Sequence, residues 1–172
     1  MTVWPTVMVT GHRPQHLSPD VRPWVRAELQ RLALKLRDAH GMTTGVSGMA
    51  IGADLWWADA VVRAGVPLWA HVPFPQQPER WPAKDRAEWQ RLLGLAVKTT
   101  TYGPDFDVKL LHARNDGMLQ AADLAVAVHL PAKRLGGTAS AVRKATALGL
   151  PIIHVNPTAR TTTLRRGERK AA

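Results

Sequence analysis

Residues 124–138 read LAVAVHLPAKRLGGT, and this stretch decides the fold. Leu124 to Leu130 is an unbroken apolar run, the pattern of a strand covered on both faces. Gly136-Gly137-Thr138 then opens a helical pattern to Leu148, with Thr138 as a candidate cap. That helix closes on Leu148-Gly149-Leu150-Pro151, glycine at a left-handed cap, and turns into a strand at Ile152–Val155. Strand, helix and strand of these lengths imply a right-handed crossover and parallel pairing.

The same closing unit occurs upstream as Ala64-Gly65-Val66-Pro67. Moving outward, strands are expected at Val7–Thr10, Thr44–Ser47, Pro67–Val72 and Lys98–Tyr102. Helices are expected from near Ser18-Pro19-Asp20 to before Gly41, at Ala53–Ala64, Ala83–Ala96 and Val108–Ala121. In the first helix Val21, Val25, Leu29, Leu32 and Leu36 recur every three or four residues. The expected fold is α/β: a Rossmann-like, doubly wound, mostly parallel sheet of about six strands with helices on both faces. One domain covers residues 1–156, a size that buries a full core.

Residues 157–172 read PTARTTTLRRGERKAA. They carry five cations and Glu168, hence +4 of the total +10. With little apolar content, this segment is expected to be a basic, disordered tail. Sixteen of the 23 cations are arginine. The balance favours anionic partners such as nucleotides, with weak nucleic-acid binding through the tail. A merely solvated charge run is the alternative.

No stretch of eighteen apolar residues occurs, so no membrane partner is expected. Met1–Thr10 lacks the basic and apolar regions of a signal peptide. The chain has no cysteine, which excludes disulfides, thiolate nucleophiles and cysteine metal sites and fits a cytoplasmic location. His71, His129 and His154 fall near strand ends without metal-ligand spacing and are read as framework residues, so no metal is expected. Trp56 and Trp57 point about 100° apart on one helix; one is expected at a subunit interface, in a homo-oligomer. Trp24, Trp69 and Trp89 fit core faces, and Trp81 has the chemistry to stack on a base.

In such a sheet the ligand lies beyond the carboxyl ends of the strands. Three junctions there carry glycine: Gly11-His12-Arg13 after the first strand; Gly48-Met49-Ala50-Ile51-Gly52-Ala53-Asp54 after the second; and Gly136-Gly137-Thr138 after the fifth. Glycine allows close backbone approach, and the helix that follows offers unpaired N–H groups and the positive end of its dipole to a phosphate. None of the loops matches G-x-G-x-x-G or the Walker A pattern. Asp54 either complements the dipole of its helix or meets a sugar hydroxyl. His12 is a ligand group or a loop cap. Arg114, beside Asn115, reaches a ligand or is solvated.

Taken in order, Thr10-Gly-His-Arg-Pro14, Ser47-Gly-Met-Ala-Ile-Gly-Ala-Asp54, Pro73-Phe74…Gln77…Trp81, Arg114-Asn-Asp-Gly-Met118 and Gly136-Gly-Thr-Ala139 resemble the SLOG superfamily, and within it the YpsA-like branch of small stand-alone proteins. The resemblance covers residues 7–155. It implies a nucleotide-type ligand held by the GMAIGAD and GGT loops, with no other cofactor required. LOG enzymes of this superfamily hydrolyse the N-glycosidic bond of nucleoside monophosphates, using a glutamate in G-T-x-x-E. Here Gly137-Thr138 is followed by Ala139-Ser140-Ala141, so Ala141 stands at the glutamate's place.

The leading expectation is therefore a nucleotide-binding sensor or sequestering protein without robust catalysis. One alternative is an N-glycosidic hydrolase using another carboxylate, Asp54 or Asp116. The other is a DprA-like binder of single-stranded DNA.

Overall fold

The computed structural model describes residues 1–168. Its elements are β1 (Thr6–Gly11), α1 (Arg22–His40), β2 (Thr44–Ser47), α2 (Ala53–Arg63), β3 (Leu68–Val72), α3 (Ala83–Leu95), β4 (Lys98–Thr101), α4 (Val108–Ala121), β5 (Leu124–Val128), α5 (Gly137–Ala147), β6 (Ile152–Asn156) and β7 (Thr161–Arg165). They build one seven-stranded sheet in the order β4-β3-β2-β1-β5-β6-β7. Every pairing is parallel except β6 with β7. The α/β, Rossmann-like reading holds, with seven strands in place of six.

The LAVAV strand shows how the two layers are set. Leu124, Val126 and Val128 face the cluster built with α1, α2 and α3, alongside Val7, Val9, Leu29 and Trp57. Ala125 and Ala127 face the other side, with Met8, Met118, Leu119 and Ala145. Alanines in the strand and at Ala141 and Ala145 of α5, both buried, keep that helix close to the sheet. Trp57 is fully buried, whereas Trp56 packs partly buried on the same cluster.

The two glycine-capped units are alike in detail. Val66 N–H donates to Val61 O at 3.1 Å and Gly65 N–H to Val62 O at 2.9 Å; Leu150 N–H donates to Ala145 O and Gly149 N–H to Thr146 O, both at 3.0 Å. Gly65 and Gly149 have φ of +70° and +68°, a conformation that glycine adopts without steric cost. Each unit stops its helix and feeds the next strand into the sheet.

The expected disorder after Asn156 is corrected by β7. Asn156 Oδ1 accepts from Thr158 N–H at 3.0 Å and Ala159 N–H at 3.1 Å, which turns the chain back on itself. Thr161-Thr162-Thr163 then pairs with Val155 and its neighbours. Threonine is a strong strand former whatever its polarity, and Thr162 Oγ1 also donates to Glu28 Oε1 at 2.5 Å. The domain thus extends through Arg165; Arg169 and Lys170 lie outside the described residues.

Deletion of residues 157–172 is accordingly expected to destabilise the protein. Five cross-strand pairs are lost, at a few tenths of a kcal/mol each, or about 2 kcal/mol in all. A fall in Tm of about 5 °C should follow for a chain of this size. An unchanged melting curve would mean that β7 contributes nothing to the fold.

Candidate functional site

The chain runs outward from β1 to β4 and then returns to place β5 on the other side of β1. The strand order reverses between β1 and β5, and a crevice opens above their carboxyl ends. There the structure has a cleft of about 370 Å³. Its walls are Thr10–Arg13 and His16 after β1; Ala50 and Asp54 after β2; Leu111, His112, Arg114 and Asn115 from α4; and Lys133 with Leu135–Thr138 after β5.

The first and third glycine loops therefore meet at the cleft, with Gly11, His12, Arg13, Gly136, Gly137 and Thr138 all on its wall. The second loop contributes Ala50 and Asp54, while Gly48, Met49, Gly52 and Ala53 are buried outside the lining. Gly48 serves a different purpose from the one its motif suggests. A Cβ there would stand 2.7 Å from Arg114 Nη1 and 2.9 Å from Asp54 Oδ2, so glycine lets both side chains approach the backbone. Gly52, at φ +96°, lies against Pro14 and the His12 carbonyl and locks the second loop to the first.

Arg114 sits in the middle of α4, buried, and is not solvated. Its Nη1 donates to Gly48 O and its Nε to Asn115 Oδ1 at 2.8 Å. Gln77 Nε2 donates to the same Gly48 carbonyl at 3.0 Å, and Trp89 Nε1 to Gln77 Oε1 at 3.0 Å. The Gln77 of the proline-rich segment is thus an anchor for the second loop. Trp81 packs partly buried against the hydrophobic cluster and is not among the residues lining the cleft.

The second loop is pinned from below as well. Ser47 Oγ donates to Asp54 O at 2.8 Å and accepts Met49 N–H at 3.1 Å. Met49 is held at φ +59°, uncommon for a residue with a side chain, and is fully buried.

Asp54 and Arg114 face each other across Gly48. Burial pushes the Asp54 carboxyl up to about 6, against the opposing pull of Arg114, the Ala50 N–H and Arg13. Burial also lowers Arg114, which Asp54 counteracts. His12 is driven down to about 4 by burial, then by His129, Lys133 and His16. Its Nε2 accepts the Leu130 N–H at 3.0 Å. The ring is therefore neutral at pH 7, with its proton on Nδ1, and it ties the β1 loop to the β5 loop.

The two helix N-termini at the cleft are not equivalent. α2 carries its own carboxylate: Asp54 lies in its first turn and accepts the Ala50 N–H at 3.3 Å. α5 has no acidic residue in its first turn and no side-chain cap. A Cβ added at Gly136 or Gly137 would meet nothing within 4 Å, so their backbone faces open space. The positive end of α5 is the one available to an anion.

Asp116 is outside the site. It is half-exposed and paired with Lys144 Nζ at 2.7 Å, which removes it as a carboxylate acting in the cleft. Ala141 is buried and does not line the cleft. Among the described residues of the lining, Asp54 is the one carboxylate. Sequence reasoning missed His16, Leu111, His112, Lys133 and Leu135. The signal available was a Lys133-Arg134 pair directly before Gly136-Gly137.

No family model matches the chain, and no curated protein matches it significantly. Among solved structures it is similar to DNA processing protein A from Streptococcus pneumoniae, at TM-score 0.65 and 17% identity, over 88% of this chain and 50% of that one. It thus spans half the length of that protein. The same protein from Helicobacter pylori, which binds single-stranded DNA, gives 0.63 and 15%, over 91% and 71%. The molybdenum cofactor carrier protein from Chlamydomonas reinhardtii gives 0.57 and 17%, over 90% and 79%. With this strand order and these neighbours, the chain has a Rossmann-like α/β fold shared with DNA processing protein A and the molybdenum cofactor carrier protein.

Proposed function

We propose that the protein binds a nucleotide or nucleotide derivative, with its phosphate at the N-terminus of α5 and its sugar toward Asp54 and Asn115, as a sensor or sequestering protein. The observation that carries this reading is the uncapped start of α5, where Gly136 and Gly137 present bare backbone to the cleft. The cationic lining from Arg13, Lys133 and Arg114 supports the same ligand charge. Similar folds bind single-stranded DNA or carry the molybdenum cofactor, so ligand binding is a use to which this fold is put. The alanine at position 141 and the displacement of Asp116 leave Asp54 as the one candidate for hydrolytic chemistry, already engaged by Arg114 and Ala50. The experiment is mass spectrometry of small molecules released from the purified protein, paired with a thermal-shift screen of nucleotides.

A single-strand binder is the second reading, favoured by the likeness to DNA processing protein A and the charge of +10. Salt separates the two. Single-strand affinity should fall with a log–log slope of about −0.7 per phosphate contacted, whereas a nucleotide making one or two such contacts responds weakly. We expect nucleotides to bind at physiological salt and single strands to bind only loosely. Tight single-strand binding at that salt, with indifference to every nucleotide, would overturn the leading proposal.

A further inference from the structure

One corner of the cleft is more basic than a single phosphate needs. Lys133 stands three residues before Gly136 on the same loop, and its Nζ donates to His16 Nδ1 at 2.9 Å. An imidazole nitrogen that accepts this bond is uncharged, so it leaves the lysine's charge uncompensated. His12, buried to 4% exposure, packs with its ring centroid 6.1 Å from that of His16 and 5.5 Å from that of His129. With Nε2 taken by the Leu130 N–H, its Nδ1–H is a donor without a protein partner on a side chain that lines the cleft. His129 Nε2 lies 3.3 Å from the Lys133 carbonyl, which fixes the loop that carries the lysine. The carboxylate of the lining, Asp54, is across the cleft with Arg114.

A cation without a counter-charge beside an open helix N-terminus attracts a second negative group, and a neutral N–H on the same wall of the cleft can direct it. We infer that His12, His16 and Lys133 form a second phosphoryl subsite beside the one at Gly136–Thr138, so that the ligand class is a nucleotide with two linked phosphates rather than a monophosphate. Lys133 supplies the charge and His12 a neutral, directed N–H. His16 exchanges its bond with Lys133 for one with the ligand.

This inference rests on the phosphate assignment proposed above, and the test separates the two. The probes are inorganic phosphate and pyrophosphate, titrated calorimetrically at constant ionic strength, so that no base needs to be guessed. Pyrophosphate is expected to bind at least about tenfold more tightly than phosphate, by one added charge-assisted contact. Lys133→Ala should remove most of that advantage, weakening pyrophosphate several-fold more than phosphate. Lys84→Ala, which takes the same charge from exposed α3, should leave the advantage intact, and Gly137→Val should weaken both anions. Equal binding of the two anions by the parent, or an equal effect of the two lysine variants, overturns the second subsite while leaving the first. Failure of both anions to bind the parent overturns the phosphate assignment and this inference with it.

Discussion

Gly137→Val is expected to lose nucleotide affinity by about a hundredfold or more while melting close to the parent. A valine at this position projects into the space where α5 presents its first N–H groups, and hydrogen bonds to a charged ligand contribute about 1.5–3 kcal/mol each. Losing two of them accounts for a factor of that size. The fold should not suffer, because a Cβ at Gly137 meets nothing within 4 Å and its φ lies outside the left-handed range. The neighbouring Gly136, at φ +99°, would make a poor probe, since any side chain there strains the backbone itself. Calorimetry of the folded variant decides the matter: parental affinity would place the ligand phosphate elsewhere.

Arg114→Met is expected to be the most damaging single change to stability. It strands Asp54 in a buried position and leaves the Gly48 carbonyl with Gln77 alone. Leaving a buried charge without its nearby compensating charge costs up to about 3–5 kcal/mol, or roughly 10 °C in Tm here. Two further readings make the cause specific. Adding Asp54→Asn to Arg114→Met should restore part of the loss, as expected of electrostatically coupled residues in a double-mutant cycle. The second reading is pH. Burial pushes the Asp54 carboxyl up to about 6 in the folded protein from the 3.8 of a free aspartate, so the folded state holds its proton more tightly than the unfolded one. Its contribution is most favourable below about pH 4 and is lost as pH rises through 6. Removing Arg114 raises the folded value further, so the variant's deficit should be smaller at pH 5 than at pH 8. A deficit independent of both pH and Asp54 would mean that the loss is one of packing alone.

The elements up to Asn156 were legible because their apolar periods and glycine stops are local. LAVAV, the two glycine-capped units and the Val25–Leu36 stripe each state their structure within a dozen residues. β7 was not legible by the same standard: TTT looks like a solvated linker when apolar content is the criterion, and its strand character comes from β-branching and a neighbouring edge to pair with. In the site, the sheet edge and two of the three glycine loops could be read, because a parallel α/β sheet puts its loops at one rim. The role of Gly48 could not. Its neighbours Arg114 and Asp54 are brought to it by α4 crossing behind the second loop, a long-range approach that no spacing encodes. Lys133 and His16 belong to different loops and meet only because β1 and β5 are adjacent. Asp116, two residues from Arg114 on α4, is carried about 200° around the helix and out of the cleft.

The pairing of β1 with β5 joins Val7 to Leu124, with three strands and four α-helices intervening in the chain. On a ribosome, the first hundred residues can assemble β1 to β4 while β1 still presents a bare edge. Such an edge is a hazard for pairing between chains until β5 arrives to occupy it. The cleft has no far wall before that moment, so a half-made chain has nothing with which to hold a ligand. A ligand held there would therefore act on a contact of long sequence separation and favour the finished chain over its unfinished forms.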